Sequence, residues 1–152
     1  MGKTYVVSYL VAALCVLNTN ATNIIWKIGK ADNSASELAL GPSGYKDFLA
    51  KDFGYEDRYF LIGNSKDDKD FPYVLPGPND VWGGTWRTSG WRTHSTNILF
   101  GLDRITEHGE CRLVIDLLDA DPKRSLVKVL VNSVEKKFEI KGKSEKVLDG
   151  SE

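Results

Sequence analysis

Apolar and polar residues alternate through most of the second half of the chain. The alternation covers residues 97–102, 111–118, 126–131 and 137–140. A period of two places successive side chains on opposite faces of a β-strand. Asn132 and the serine after it fit a tight turn between the last two segments. Several strands separated by turn residues predict an all-β fold, an antiparallel β-sandwich with little helix.

The first half of the chain has shorter apolar segments. Residues 23–28 and 58–62 are predicted as strands, and a glycine follows each of them. Residues 44–52 are predicted as a short helix with Ser43 as its N-cap. Residues 64–96 show no clear period. A connection of this length inside a compact domain either carries function or contains short elements that the pattern does not reveal.

The strand pattern also predicts the hydrophobic core. Residues 112–118 and 126–131 are apolar on both faces, as expected of central strands between two layers. We expect the following residues to be mostly buried: Trp26, Phe60, Ile62, Ile98, Phe100, Leu113, Ile115, Leu117, Val127, Val129 and Val131.

Residues 1–21 differ from the rest and predict a secretory signal peptide. Lys3 supplies a positive start, residues 5–17 are mostly apolar, and Ala21 suits a cleavage site. The apolar run is too short for a membrane span, which needs about 18 residues. We therefore expect a secreted, periplasmic or cell-surface protein, with a folded module over residues 22–141 and a tail over 142–152. A retained N-terminal strand or helix is the alternative.

The predicted signal peptide determines which cysteines the processed chain keeps. Removing residues 1–21 takes away Cys15 and leaves Cys111, so no internal disulfide can form in the processed chain. Cys111 begins an apolar strand pattern, and we expect it to be a small buried side chain rather than a reactive thiol.

The charge balance limits the kinds of partner. The chain has 20 basic and 21 acidic residues, a net charge of −1, mixed along its length. A nucleic-acid surface needs an excess of basic residues on one face, so no nucleic-acid partner is expected.

A glycine-rich stretch over residues 80–97 is the strongest candidate for a functional site. It holds three of the four tryptophans, two arginines and one of the two histidines, and loops of this kind often carry function. Two interpretations stay open: the indoles close the end of the core, or they form a platform on which a flat ligand stacks. The candidate binding residues are Tyr73, Trp82, Trp86, Arg87, Trp91, Arg92 and His94.

These side chains suit a carbohydrate, and an acidic one in particular. Aromatic rings stack on the C–H faces of sugars, whereas Arg87 and Arg92 can each bind a uronate carboxylate through two parallel N–H bonds. Alternatively each arginine pairs with a local aspartate or a backbone carbonyl. His94, with an ordinary pKa of about 6.5, could act as a general base. A lone histidine in a polar loop is more often a hydrogen-bonding residue.

No cofactor is expected. The two histidines are too far apart, without nearby cysteine pairs, to form a zinc site. Asp119 with Asp121, and the loop at Asp32 and Asn33, could offer oxygen ligands to calcium, but neither follows a complete calcium-loop pattern.

Several segments, taken in order, resemble one known family. Trp26, Ile28, Gly29 and Asp32 are similar to the Trp-x-Ile-Gly-x-x-Asp opening of the C-terminal module of rhamnogalacturonan lyases, polysaccharide lyase family 4. The later elements of that module are similar to residues 59–63, 70–73, 91–100, 113–117 and 128–132 of this chain.

The resemblance implies a jelly-roll, galactose-binding-like sandwich, as in carbohydrate-binding modules. In that family catalysis takes place in a separate N-terminal domain, so no catalytic residue carries over. Such modules continue into two further strands after a segment like residues 146–150, and the resemblance therefore predicts that this chain is truncated at its C-terminus.

Two classes of function remain. The first is a non-catalytic module that binds pectic, rhamnogalacturonan-type polysaccharide or its oligosaccharides in a secreted degrading system. The second is an enzyme: a lyase acting through His94 and the arginines, or a fragment or partner subunit that works with a separate lyase catalytic domain. A structural packing domain that binds nothing is the third interpretation.

Overall fold

A computed structural model describes residues 9–16, 22–54, 58–77, 80–83, 94–102, 110–118, 120 and 125–140. The described part is mostly strand with little helix, as the sequence predicts. Its seven strands are β1 (Tyr9–Val16), β2 (Thr22–Ile28), β3 (Tyr59–Leu61), β4 (Asn97–Leu99), β5 (Glu110–Leu117), β6 (Ser125–Val131) and β7 (Val134–Ile140). One short helix, α1 (Asp67–Asp70), and two 3₁₀ turns, Tyr45–Asp47 and Val81–Gly83, complete the described elements.

The strands form three small sheets. β1 lies between β2 and β5 and pairs antiparallel with both, and β6 pairs antiparallel with β7. β3 and β4 pair in parallel, so the prediction of a wholly antiparallel fold is wrong for this pair. The long connection between them carries the chain back to the side on which β3 starts, as a parallel pair requires. The jelly-roll arrangement stays a prediction.

The N-terminal segment forms a strand in this structure. β1 lies within the predicted signal segment and corresponds to the alternative of a retained strand, so cleavage after Ala21 stays a prediction. The register places Cys15 opposite Cys111. Cys111 is disulfide-bonded and exposed, which corrects our expectation of a buried, unpaired cysteine. That expectation assumed that residues 1–21 contribute nothing to the fold.

The predicted helix over residues 44–52 is instead a 3₁₀ turn followed by further turns. Gly44, not Ser43, is its N-cap, and no side chain caps it. The physical reason is the burial of Phe48 and Phe53, which are 2 % and 7 % exposed. The backbone N–H of Phe53 donates to the carbonyl of Phe48 over 3.0 Å, so the chain turns tightly to direct both rings inward.

The core lies at the inner face of β2 and under the loops that follow it. Trp26, at 7 % exposed, and Phe60, at 4 %, are buried as predicted. Ile62, Ile98, Ile115 and Leu117 are only partly buried and pack against the core from its edge. The remaining buried apolar residues of this cluster are Ile28, Ala35, Leu38, Ala39, Phe48, Phe53, Phe71, Tyr73 and Val74.

Several residues expected in the core are exposed instead. Phe100, Leu113 and Val131 are 42 %, 37 % and 45 % exposed, and Val127 and Val129 are half-buried. The expectation assumed a second sheet over the faces of β5 and β6. Among the described residues β6 pairs only with β7, in a two-stranded sheet.

The turn between β6 and β7 is where the sequence predicts it. Asn132 and Ser133 have φ values of 46° and 71°, the two left-handed residues of a tight hairpin turn. The hairpin is further joined by Glu135, whose carboxylate lies 3.4 Å from the Lys128 ammonium and 3.1 Å from that of Lys137.

Asp67 connects the end of β2 to α1. Its carboxylate accepts a hydrogen bond from the backbone N–H of Gly29 over 2.9 Å, and its carbonyl accepts one from Ala39 over 3.0 Å. Gly29 has a φ of 72°, which an L side chain rarely adopts, so the chain turns here at little cost. Asp67 therefore helps to hold the end of β2 in place.

Candidate functional site

The indole of Trp82 packs into a small aromatic cluster. Its ring meets the ring of Tyr45 edge-on, with centroids 5.2 Å apart at 70°, and that of Phe48 with centroids 5.8 Å apart at 82°. Edge-to-face contacts of this kind stabilise aromatic pairs beyond the area they bury. Trp82 is half-buried and belongs to the edge of the core.

His94 lies against the same phenylalanine. It is 5 % exposed, and its imidazole meets the Phe48 ring with centroids 5.5 Å apart at 80°. Gly83, next to Trp82, lies close to His94 and packs so tightly on Pro76 that an added Cβ would collide with the proline ring. The Phe48 ring therefore holds the residues on both sides of segment 84–93.

Tyr73 is a core residue. It is 3 % exposed, and its backbone N–H donates to the carbonyl of Ala39 over 3.1 Å. Burial raises the pKa of its phenol above the ordinary value. A hydrogen bond with the backbone of Tyr45 opposes this rise, and the nearby Tyr45 phenol adds to it. A ring this deeply buried cannot stack on a sugar.

The structure thus divides the predicted site residues into two groups. Tyr73, Trp82 and His94 pack in or against the core, and their role as ligand contacts stays a prediction. The other four candidates lie outside the described residues: Trp86, Arg87, Trp91 and Arg92.

A polar groove that the sequence analysis missed lies beside β3 and β4. Its floor is formed by the rings of Phe48, Phe53, Phe60 and Phe71, and its volume is about 30 Å³. Its rim carries the polar residues Arg58, Tyr59, Asp70, Ser95, Thr96 and Asn97. The period-two pattern of β3, which turns Tyr59 away from the buried Phe60, is the signal that could have indicated this rim.

Arg58 has a structural role at the rim of this groove. Its guanidinium carbon lies 4.4 Å from the centroid of the Phe53 ring, a cation–π contact. One of its amino groups donates to the carbonyls of Lys51 and Asp52, each over 3.2 Å. The other lies 3.9 Å from a carboxylate oxygen of Asp70, and both side chains are about one-third exposed.

No metal centre is evident in the part of the chain that the structure describes: no three acidic, histidine or cysteine residues there converge as ligands would. Of the calcium candidates, Asp32 uses its carboxylate to accept the backbone N–H of Ser34 over 3.1 Å, which forms a local turn. Asp119 and Asp121 lie outside the described residues. The expectation of no cofactor, with calcium as the alternative, stays a prediction.

The helices of the described segments are all short, and none has the length and apolar character needed to cross a membrane.

Short strands, little helix and loops that carry the aromatic and polar side chains define a β-stranded domain of the kind found in binding modules. The sequence matches the family described as "CBM-like: Polysaccharide lyase family 4, domain III" over residues 24–151. The chain therefore belongs to this family, as its resemblance to rhamnogalacturonan lyase modules predicts. Neither the curated proteins nor the solved structures contain a significant match.

Proposed function

We propose that this protein is a non-catalytic carbohydrate-binding module of a secreted polysaccharide-degrading system. Its ligand is pectic polysaccharide of the rhamnogalacturonan type, and its functional partner is a separate lyase catalytic domain. The observation that carries the proposal is family membership over residues 24–151, nearly the whole sequence after the predicted signal segment.

The anchoring of segment 84–93 supports a binding role for its tryptophans and arginines. Trp82 precedes this segment and His94 follows it, and both pack on the Phe48 ring. A loop whose ends are fixed loses less conformational entropy when a ligand binds, because part of the ordering has already taken place on folding. The four candidates between them are Trp86, Arg87, Trp91 and Arg92.

The burial of His94 favours binding without cleavage. A general base must come within hydrogen-bond reach of the proton it removes, directly or through one water molecule. With 5 % of its surface exposed and its ring against Phe48, His94 offers a polymer little access. We therefore assign a structural role to His94, the residue with the best sequence case for β-elimination.

The expected affinity is weak. Stacking one sugar ring on an indole contributes on the order of 1 kcal/mol beyond area burial, by analogy with aromatic pairs. A few such contacts and one bidentate arginine correspond to dissociation constants of roughly micromolar to millimolar.

Titration of the purified protein with rhamnogalacturonan and homogalacturonan oligosaccharides tests the proposal. Tryptophan fluorescence reports binding, and absorbance at 235 nm reports the unsaturated uronate that a lyase would produce. We expect a saturable fluorescence change and a flat absorbance trace. Growth of the 235 nm signal would show that the protein cleaves its ligand, and no change in either signal at millimolar ligand would refute carbohydrate binding.

A further inference from the structure

The parallel pair β3–β4 has one buried and one exposed face. Phe60 is 4 % exposed and stands opposite the half-buried Ile98, on the core side. On the outer side Tyr59, at 49 % exposed, stands opposite Asn97. Two leucines continue this outer face: Leu61 stands opposite Leu99, and they are 42 % and 52 % exposed. The outer face therefore presents an aromatic ring and an amide side by side, followed by an apolar strip.

The amide beside Tyr59 is held in position. The Asn97 side-chain nitrogen donates to the carbonyl of Arg58 over 3.2 Å, across the two strands. An exposed ring next to an oriented amide is the pairing that a sugar uses, because one face of a pyranose is apolar and its edges carry hydroxyl groups. Ring stacking supplies the affinity, and directional hydrogen bonds supply the orientation.

The volume of the groove next to Tyr59 limits the size of the chemical group that can enter it. Its volume of about 30 Å³ has room for about two or three water molecules. A pyranose ring is far larger, whereas a single hydroxymethyl group fits. A bound sugar would therefore lie outside, against the Tyr59 ring, with one exocyclic substituent directed into the groove.

The charges at the rim select against an acidic substituent. The Arg58 guanidinium is already used by the carbonyls of Lys51 and Asp52 and faces the carboxylate of Asp70 at 3.9 Å. A uronate carboxylate placed in the groove would meet Asp70 and would have to displace it from Arg58. A neutral hydroxymethyl group meets no such repulsion and can donate a hydrogen bond to the same carboxylate.

We propose that Tyr59 and Asn97 on the outer face of β3–β4, together with Asp70 of α1 at the rim of the adjoining groove, form a second sugar subsite that binds a neutral pyranose unit. Arg87 and Arg92, which suit acidic units, are not part of it. The inference rests on the proposed carbohydrate-binding function and extends it: the module binds a polysaccharide that carries neutral and acidic sugars, with one subsite for each.

Two ligands, one neutral and one acidic, test this subsite. The sugar units of galactan and galacturonan oligosaccharides share the configuration of C2 to C5, but the first carry a hydroxymethyl group where the second carry a carboxylate, and the two chains also differ in the anomeric configuration of their linkage. Binding of each is measured by calorimetry to wild type, Tyr59→Ala, Tyr59→Phe and Asp70→Asn. Phe138→Ala is the matched control, because Phe138 is also 49 % exposed but lies on the separate β6–β7 hairpin.

We expect Tyr59→Ala to weaken galactan binding at least about fivefold, the loss of one ring contact, with galacturonan binding unchanged. Tyr59→Phe keeps the ring and should retain most of the affinity, and Phe138→Ala should bind like wild type. Asp70→Asn should increase galacturonan binding at this face. We also expect the backbone amide NMR signals of Tyr59, Asn97 and Asp70 to shift when galactan is added to the wild-type protein. This measurement tests the subsite without any variant.

Equal galactan affinity of wild type and Tyr59→Ala, or galactan-induced shifts confined to other residues, would overturn the subsite. Wild-type protein that binds galacturonan but not galactan would also overturn it, while the proposed function would stand. Wild-type protein that binds neither ligand would overturn both. A variant that fails to fold is recognised because it shows no cooperative thermal transition. In that case the amide chemical-shift changes of the wild-type protein on addition of galactan decide whether the subsite exists.

Discussion

The ring of Phe48 lies between Trp82 and His94, with centroids 5.8 Å from the indole and 5.5 Å from the imidazole. These two neighbours are twelve positions apart in the sequence and stand on either side of segment 84–93. One buried ring therefore fixes both ends of the loop that carries the remaining candidate binding residues. A change at Phe48 should affect ligand binding as well as stability.

We predict that Phe48→Leu lowers the free energy of unfolding by about 1–3 kcal/mol and weakens polysaccharide binding, because it releases both ends of the loop. The control is Ile28→Val. Ile28 is fully buried in β2, and this change should cost about 0.5–1.5 kcal/mol without altering affinity. Urea denaturation and titration with rhamnogalacturonan oligosaccharides at a temperature where both variants are folded measure the two effects. Equal affinities would contradict the role assigned to Phe48.

The outcome at these residues shows how much the sequence could predict. The bounds predicted for strands with a clear period of two are close to those observed, as at Glu110–Leu117 and Ser125–Val131, because alternation follows directly from strand geometry. The partners of the strands were not predicted, because parallel pairing of β3 with β4 depends on how a long connection folds. The hydrophobic pattern within one strand does not show which distant strand it pairs with.

The candidate site shows a similar limit. Composition identified a tryptophan-rich stretch but could not say which rings face inward. Trp82 and His94 pack on Phe48, a contact with a residue more than 30 positions away in the sequence. Tyr59 was assigned only to a strand, because an exposed tyrosine on a strand becomes noticeable only when Asn97 and Asp70 are seen beside it.

Trp82 should differ from the tryptophans that follow it. Trp82→Ala removes a ring packed against Tyr45 and Phe48 and should cost about 3–5 kcal/mol of stability. Trp86→Ala and Trp91→Ala should change stability by less than about 1 kcal/mol and should each weaken binding several-fold. Thermal denaturation with parallel ligand titration separates the two groups. Destabilisation by all three variants with no loss of affinity would show that all three indoles serve the core.

Tyr73 should make the fold sensitive to alkaline pH. Burial raises the pKa of its phenol, so the folded protein binds this proton more tightly than the unfolded chain does. The resulting stability is complete below the unfolded pKa, about 10, and is lost as the pH rises towards and through the folded value. Tyr73→Phe should reduce the loss of stability between about pH 9 and 11. Urea denaturation across that range measures it, and an unchanged slope would contradict the assignment.

Arg58 should not be replaceable by lysine. Its guanidinium donates to two carbonyls and covers the Phe53 ring, a combination that a single ammonium group cannot reproduce. The ion pair with Asp70 is one-third exposed and should add less than about 1 kcal/mol. We therefore predict that Arg58→Lys loses about 1–2 kcal/mol, most of what Arg58→Ala loses. Chemical denaturation of both variants tests this, and a lysine variant as stable as wild type would contradict it.

The last prediction concerns the N-terminal segment and Cys111. In the full chain Cys111 is disulfide-bonded, and the register of β1 with β5 places Cys15 opposite it. A disulfide typically stabilises a fold by about 2–4 kcal/mol, and the chain-entropy estimate for a loop of about 100 residues lies at or slightly above the upper end of that range. Full-length protein should therefore lose about that much stability on reduction, and peptide mapping without reductant should recover the segments around residues 15 and 111 joined. Two free thiols in this form would contradict the pairing.

Secretion of the protein tests whether residues 1–21 are cleaved or kept in the fold. Cleavage after Ala21 removes β1 and Cys15, so the processed chain should begin near Thr22 and carry one thiol, that of the exposed Cys111. N-terminal sequencing of secreted material and titration with a thiol reagent measure both properties on one sample. Secreted protein that keeps Met1 and has no reactive thiol would show that the segment stays in the fold as the strand between β2 and β5. Because removal of a middle strand leaves the edges of both neighbours unpaired, the processed chain should also be less stable than the oxidised full-length chain.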